Sequence, residues 1–288
     1  MILVSCAGGK TGRAVVAALA GAGHAVRALV RGDGSVAALR ALGAVEITTG
    51  DLADGEMVGR AAEGCEAIYY IAPNMDPRER AMGDCVIKAA RAAGVSRLVF
   101  HSVLHCGIEA LPHHWERHFV EQTIIESGLC FTILQCGSYM QNMLPGWKRM
   151  VETGVHRMAY DVDAPMSLVD LDDIAEVARR VLVEDGYGNA IFELAGEAVT
   201  LTGKAAILTR VLGREIRAEK EPLEDVLDHA RAIGLSDHAI TTMAGMFPYY
   251  DAHGLVGNPK TLGWLLGRAP GDFERFARRT AAAMAGGA

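Results

Sequence analysis

Ile2-Leu-Val-Ser-Cys-Ala-Gly-Gly-Lys-Thr-Gly12 decides the fold: a short apolar run enters a glycine pair, and a third glycine stands where a helical pattern begins. A strand buried on both faces reads as such a run, and a strand that passes through a glycine-rich turn into a helix is where a dinucleotide fold bends against a pyrophosphate. Gly9 lets the backbone approach the phosphates and Gly12 lets the helix pack closely on the strand. Gly8, Lys10 and Thr11 complete a turn at a helix N-terminus, whose first N–H groups have no partner within the helix. Cys6 occupies the first glycine position of the Gly-x-x-Gly-x-x-Gly spacing, with Gly8 nearby to relieve the turn. The competing reading is an ordinary strand-to-helix turn with no ligand.

Outward from this turn, short apolar runs at 2–6, 25–30, 44–47, 67–71, 97–101 and 131–136 read as strands. Helical patterns at 11–22, 35–42, 54–63, 77–93 and 113–127 separate them, several closed by a glycine such as Gly43, Gly94 or Gly128. Strand and helix in alternation imply an α/β protein with a Rossmann-type, doubly wound parallel sheet. After Gly137 the rhythm changes to longer helices broken at 155–169 and 190–194, a smaller C-terminal α/β substrate portion. We therefore expect an NAD(P)-binding domain over 1–152, with later segments interleaved, and a smaller substrate-binding portion over 153–288. The small-residue tail 281–288 reads as frayed.

The end of the second strand discriminates between cofactors, because an acidic residue about 20 positions beyond the glycines grips a ribose hydroxyl and an arginine accommodates a 2′-phosphate. Arg31 lies 19 positions beyond Gly12, and its planar guanidinium suits a phosphate. NADP(H) is thereby favoured over NAD(H), although Asp33 supports the alternative.

Composition narrows the rest. The chain of 288 residues is 50% hydrophobic and 22% charged, enough to bury a core and unlike a disordered segment. A net charge of -7 without a basic run argues against direct nucleic-acid binding. Six scattered cysteines without a Cys-x-x-Cys pair suit a reducing cytoplasm, and no apolar stretch reaches membrane-spanning length. His114 and His118 are spaced to share a helix face, but without a third ligand they read as incidental, and no metal site is expected.

Three stretches, Ile2 to Arg13, Val26-Arg-Ala-Leu-Val-Arg31 and Gly50-Asp-Leu52, together resemble the NmrA-like family of atypical short-chain dehydrogenases. Ser127-Gly-Leu-Cys-Phe-Thr-Ile-Leu134, Tyr139-Met-Gln-Asn142, Val169-Asp-Leu-Asp-Asp-Ile-Ala175 and Leu262 to Phe273 extend the resemblance over nearly the whole chain. It implies that Asp51, with Leu52, contacts adenine and that Ile71-Ala72-Pro73 lies beside the cofactor. Tyr139, Met140 and Asn142 would face the nicotinamide end and a small apolar or aromatic substrate. Gln135-Cys-Gly-Ser138 departs from the Arg-Pro-Gly usual there.

In typical short-chain dehydrogenases a serine after the fifth strand holds the carbonyl, and a tyrosine four residues before a lysine donates the proton. Matched to that pattern, Ser102 stands at the serine, His113 at the tyrosine and Arg117 at the lysine. The usual dyad is absent. A histidine titrates near working pH and can replace the tyrosine as proton donor, while the fixed charge of Arg117 can orient a ribose. A solvated first-turn histidine is the other reading. The family includes NADPH-dependent reductases of quinones, dyes and aromatic carbonyls, and also NADP(H)-binding redox-sensing regulators with no known catalysis. Reductase is the leading expectation, with sensor and non-redox lyase or isomerase as the alternatives.

Overall fold

The computed structural model describes residues 1–286, and the chain divides into two compact units. One comprises Met1–Glu109, His114–Cys136 and Ile174–Phe192; the other comprises Ala110–His113, Gly137–Asp173 and the chain from Glu193.

The chain begins with β1 (Ile2–Val4), α1 (Lys10–Gly21), β2 (Val26–Val30), α2 (Val36–Ala41), β3 (Glu46–Thr49), α3 (Gly55–Ala62), β4 (Ala67–Tyr70), α4 (Glu79–Ala92), β5 (Arg97–Val103), α5 (Pro112–Glu126) and β6 (Phe131–Cys136). It continues with β7 (Ser138–Tyr139), α6 (Trp147–Thr153), β8 (Val155–Met158), β9 (Met166–Val169), α7 (Leu171–Val183), β10 (Ala190–Leu194), β11 (Ala198–Val199) and α8 (Leu201–Leu212). Last come β12 (Arg217–Lys220), α9 (Leu223–Ala232), α10 (Asp237–His253), α11 (Pro259–Leu266) and α12 (Phe273–Gly286).

Seven strands form one sheet in the order β10-β6-β5-β4-β1-β2-β3, and β1 to β6 pair in parallel throughout. The chain winds outward from β1 to β3, returns to β4 and winds the other way, which makes the sheet doubly wound. The reversal falls between β1 and β4, where open α/β sheets bind ligands. Burial explains the strands: β1 and β4 are buried along their whole length, as a sheet covered on both faces requires.

Edges differ from the sequence expectation for local reasons. The first strand stops at Val4 because Cys6 turns into the left-handed region at φ 46°. The third is the exposed edge strand, runs Glu46–Thr49 and carries polar residues that an apolar pattern does not mark. β5 reaches Val103 because its register with β6 continues to Cys136. Gly43, Gly94 and Gly128 follow their helices at φ 96°, 65° and 74°, conformations that cost glycine little.

In the second unit β11, β9 and β7 form a small sheet, and β8 pairs in parallel with β12. Ion pairs tie the acidic start of α7 to the C-terminal helices: Asp173 accepts from Arg268 at 2.8 Å and from the Gly271 amide at 2.7 Å, and Asp170 pairs with Arg279 at 2.9 Å. Residues 281–286, expected to fray, are instead the last turns of α12, while residues 287 and 288 lie outside the described residues. Among the described residues no helix is long and apolar enough to cross a membrane.

Candidate functional site

The turn after β1 is made at Cys6 itself, and Gly8, expected to relieve it, is not among the residues at positive φ. Cys6 itself takes the left-handed conformation at φ 46°, and its carbonyl accepts the Gly9 amide at 3.0 Å. Gly8 is small for another reason: a Cβ there would collide with the Ser35 side chain. At Gly12 a Cβ would lie 2.6 Å from both Ala7 Cα and the Cys6 carbonyl, so the helix cannot pack this closely with any side chain. Gly9, by contrast, opens outward, its nearest neighbour being the Cys6 carbonyl at 3.4 Å. No side chain caps α1 and no acid lies in its first turn. Lys10 is exposed at its tip and Thr11 is buried. A cradle without side chains at an acid-free helix N-terminus fits a pyrophosphate.

Among the described residues Arg31 is exposed and has neither a hydrogen-bond nor an ion-pair partner. Asp33, its rival in cofactor choice, accepts from Thr49 Oγ1 at 3.2 Å. The Ala53 amide, and then the Arg78 guanidinium, hold the Asp51 carboxyl below the usual carboxylate range. Arg78 also pairs with Asp76 at 2.9 Å. Leu52, Ile71 and Ala72 are buried, and Pro73 is half-buried.

One positioning residue went unnoticed in the sequence. The Ser5 hydroxyl donates to the Ile71 carbonyl and accepts from the Ile71 amide, each at 2.7 Å. It thereby ties the exits of β1 and β4 together at the reversal point. Its place directly before Cys6 was the available signal.

Behind this turn α5 lays a polar face on β5. His114 Nδ1 lies 2.7 Å from the Leu104 carbonyl, and Arg117 donates to the His101 carbonyl at 2.6 Å while pairing with Glu79. Glu121 accepts from Ser102 Oγ and from Gln135 Nε2, the latter at 3.1 and 2.9 Å to its two oxygens. Ser102 and Arg117, expected at the reacting centre, are thus buried and engaged with internal partners. Tyr69 Oη meets His101 Nδ1 at 2.7 Å, and burial together with the Arg117 charge lowers His101 to about 3, so this ring is neutral. Burial raises Glu79 to about 7 against the opposing pull of Arg117.

His113 is buried and belongs to the second compact unit, whereas Ser102 and Arg117 belong to the first. Tyr139, Met140 and Asn142 lie together in the second unit. Tyr139 is half-buried in β7, Met140 is buried, and the exposed Asn142 donates to Ser138 Oγ at 3.4 Å. On the same helix as His114, His118 stacks on Trp115 with ring centres 4.9 Å apart.

Comparison with known proteins places this arrangement among named relatives. The chain is 30% identical over 291 residues to NAD(P)H azoreductase of Xenophilus azovorans, covering 99% of each chain. It is 34% identical over 228 residues to the (4-alkanoyl-5-oxo-2,5-dihydrofuran-3-yl)methyl phosphate reductase of Streptomyces griseus subsp. griseus, covering 76% of this chain and 77% of that one. The crystal structure of an NADPH-dependent quinone oxidoreductase from Escherichia coli, complexed with NADPH, is similar at a TM-score of 0.83 and 28% identity, covering 98% of this chain and 100% of that one. The model of the NmrA-like family matches residues 1–273, and the chain belongs to that family.

Proposed function

We propose that this protein is an NADPH-dependent reductase of quinones, azo compounds or other conjugated acceptors. The observation that carries the reading is similarity along the whole chain to NAD(P)H azoreductase, at 30% identity and 99% coverage of both chains. The turn adds a physical reason, since its cradle has the shape and polarity that a pyrophosphate needs.

Gly8, Gly9, Lys10, Thr11 and Gly12, following Cys6, receive the pyrophosphate. Arg31 takes the 2′-phosphate through charge-assisted hydrogen bonds. Asp51 and Leu52 border the adenine, and Ile71, Ala72 and Pro73 flank the dinucleotide. Bound NADPH supplies the hydride. Tyr139, Met140 and Asn142 shape the acceptor site and His113 holds the proton that the reduced acceptor takes up. Arg117 acts as a positioning residue through the His101 carbonyl, and Ser102 through Glu121. Free cysteines suit a reducing cytoplasm.

Titration calorimetry tests the cofactor assignment. NADPH should bind at least about tenfold tighter than NADH, a difference of about 1.4 kcal/mol, and Arg31→Ala should narrow that gap. Equal affinities in the wild type would remove the assignment. Steady-state oxidation of NADPH by quinones and azo dyes then tests turnover.

A second reading, a redox-sensing regulator without turnover, is favoured by one observation: Ser102 and Arg117 are engaged internally with Glu121 and Glu79. It requires NADP⁺ and NADPH to bind with different affinity while no acceptor consumes NADPH.

A further inference from the structure

Among the described residues the buried charged side chains are Glu79, Arg117, Glu121, Asp170, Asp173 and Lys204. Five have charged partners or several hydrogen bonds. Glu79 and Arg117 pair, Glu121 takes bonds from Ser102 and Gln135, Asp170 pairs with Arg279, and Asp173 pairs with Arg268. Lys204 is the exception. It is 5% exposed, and its ammonium makes a single hydrogen bond, to Tyr160 Oη at 3.2 Å.

An ammonium carries three donors, and a buried cation without an anion is normally either compensated or avoided. Among the described residues no carboxylate compensates it, and burial alone pulls Lys204 down to about 8. Its location sharpens the point. Lys204 lies in the first turns of α8, after the Thr200 cap, where the helix dipole favours a negative charge and α8 supplies no acid. Beside it, on β8, His156 is buried with Nε2 lacking any hydrogen-bond partner, and the neighbouring Lys204 charge helps to hold its ring neutral. Tyr250 on α10 is the other buried titratable group near Tyr160.

We propose that Lys204, with the Tyr160 hydroxyl and His156 Nε2, forms an oxyanion-binding site within the second compact unit, for the phosphate or carboxylate group of a small molecule. Such a ligand supplies the missing counter-charge, meets the orphaned imidazole nitrogen and sits on the favourable end of α8. The site is independent of the dinucleotide turn and of the assignment of NADPH to it.

The test compares wild type and Lys204→Met in the same buffers, so that any anion held elsewhere contributes equally to both. Sodium phosphate, phenyl phosphate and sodium benzoate are titrated against sodium chloride at matched ionic strength. At about a hundredfold excess over Kd an anion that binds at Lys204 should raise the wild-type Tm by about 5 °C and leave Lys204→Met unmoved. A larger response to phenyl phosphate than to phosphate assigns the site to an organic ligand, and an equal response assigns it to the free ion. A second measurement needs no variant stability: NMR of the wild-type lysine side chains should show the Lys204 titration move to higher pH when the anion is present. Equal responses of wild type and variant, or no movement of the Lys204 titration with any of the three anions, would overturn the proposal.

Discussion

Arg117 and Lys204 are the one arginine and the one lysine buried among the described residues, one in each compact unit, and their surroundings differ. Arg117 has a carboxylate in Glu79, a carbonyl in His101 at 2.6 Å and the face of Phe100 at 5.6 Å. Lys204 has one phenol oxygen, at 3.2 Å, and the ring of the same tyrosine. The first arrangement satisfies its charge internally and locks α4, α5 and β5 together. The second leaves a charge without a counter-charge among the described residues. The buried cation of the first unit therefore serves architecture, and that of the second marks a place for a ligand.

Removing the paired cation should have the largest effect. Arg117→Met strands the Glu79 carboxylate and removes the donor from the β5 backbone, a loss of about 4 kcal/mol. Burial already raises Glu79 to about 7 with Arg117 present. A carboxyl raised in the folded state loses stability as pH climbs through its folded value, so the deficit of the variant should be greater at pH 8 than at pH 6. Urea unfolding at both pH values measures it. The double variant Glu79→Leu/Arg117→Met should recover most of the loss, and if it does not, the pair is not what Arg117 contributes.

Removing the uncompensated cation should act in the opposite direction. A fall from 10.5 to about 8 means that the folded state carries a penalty of about 3 kcal/mol at neutral pH. Below about pH 8 both states are protonated and the penalty is complete. Between about 8 and 10.5 the folded protein releases the proton first, so wild-type stability should rise with pH. Lys204→Met should be more stable than wild type at pH 7, and urea unfolding between pH 7 and 10 should show no such rise in the variant. A variant less stable at pH 7 would mean that Lys204 is compensated after all.

How these sites could be read from the sequence differs in the same way. The parallel sheet was legible because apolar runs such as Ile2 to Val4 and Ala67 to Tyr70 have no other use than burial on both faces. Gly12 was legible as a close-packing position, and the backbone lies where its side chain would be. The polar face of α5 was only half visible. His114, Arg117 and Glu121 follow helical spacing, but nothing in the sequence couples Arg117 to Glu79 on another helix, and the match to typical dehydrogenases gives Arg117 the place of a lysine rather than that of a partner to a buried carboxylate. Cys6 stands where the motif spacing has its first glycine, and its left-handed conformation at φ 46°, a feature of the backbone that the sequence does not display, is one that a cysteine here adopts itself. Lys204 did leave a signal. Leu201, Ala205 and Leu208 share one buried face of α8, and a lysine among them breaks the amphipathic pattern.

The smallest effect belongs to an exposed cation that nonetheless has both a carboxylate and a ring as partners. Arg80 makes two hydrogen bonds with Glu116, at 2.6 and 2.8 Å, and lies 3.6 Å above the Phe119 ring. By geometry alone it should be worth far more than Lys204 with its single phenol. Its side chain, however, is 50% exposed, so water already solvates the guanidinium in the unfolded and the folded states alike. Exposed ion pairs contribute about 0 to 1 kcal/mol and weaken with salt, and an exposed cation over a ring adds about as much. Arg80→Met should therefore destabilise the protein by no more than about 1 kcal/mol in urea unfolding, and about 1 M sodium chloride should reduce the difference. If Arg80→Met proved as costly as Arg117→Met, partner geometry rather than burial would set the value of a cation in this molecule, and the inference drawn from the isolation of Lys204 would lose its basis.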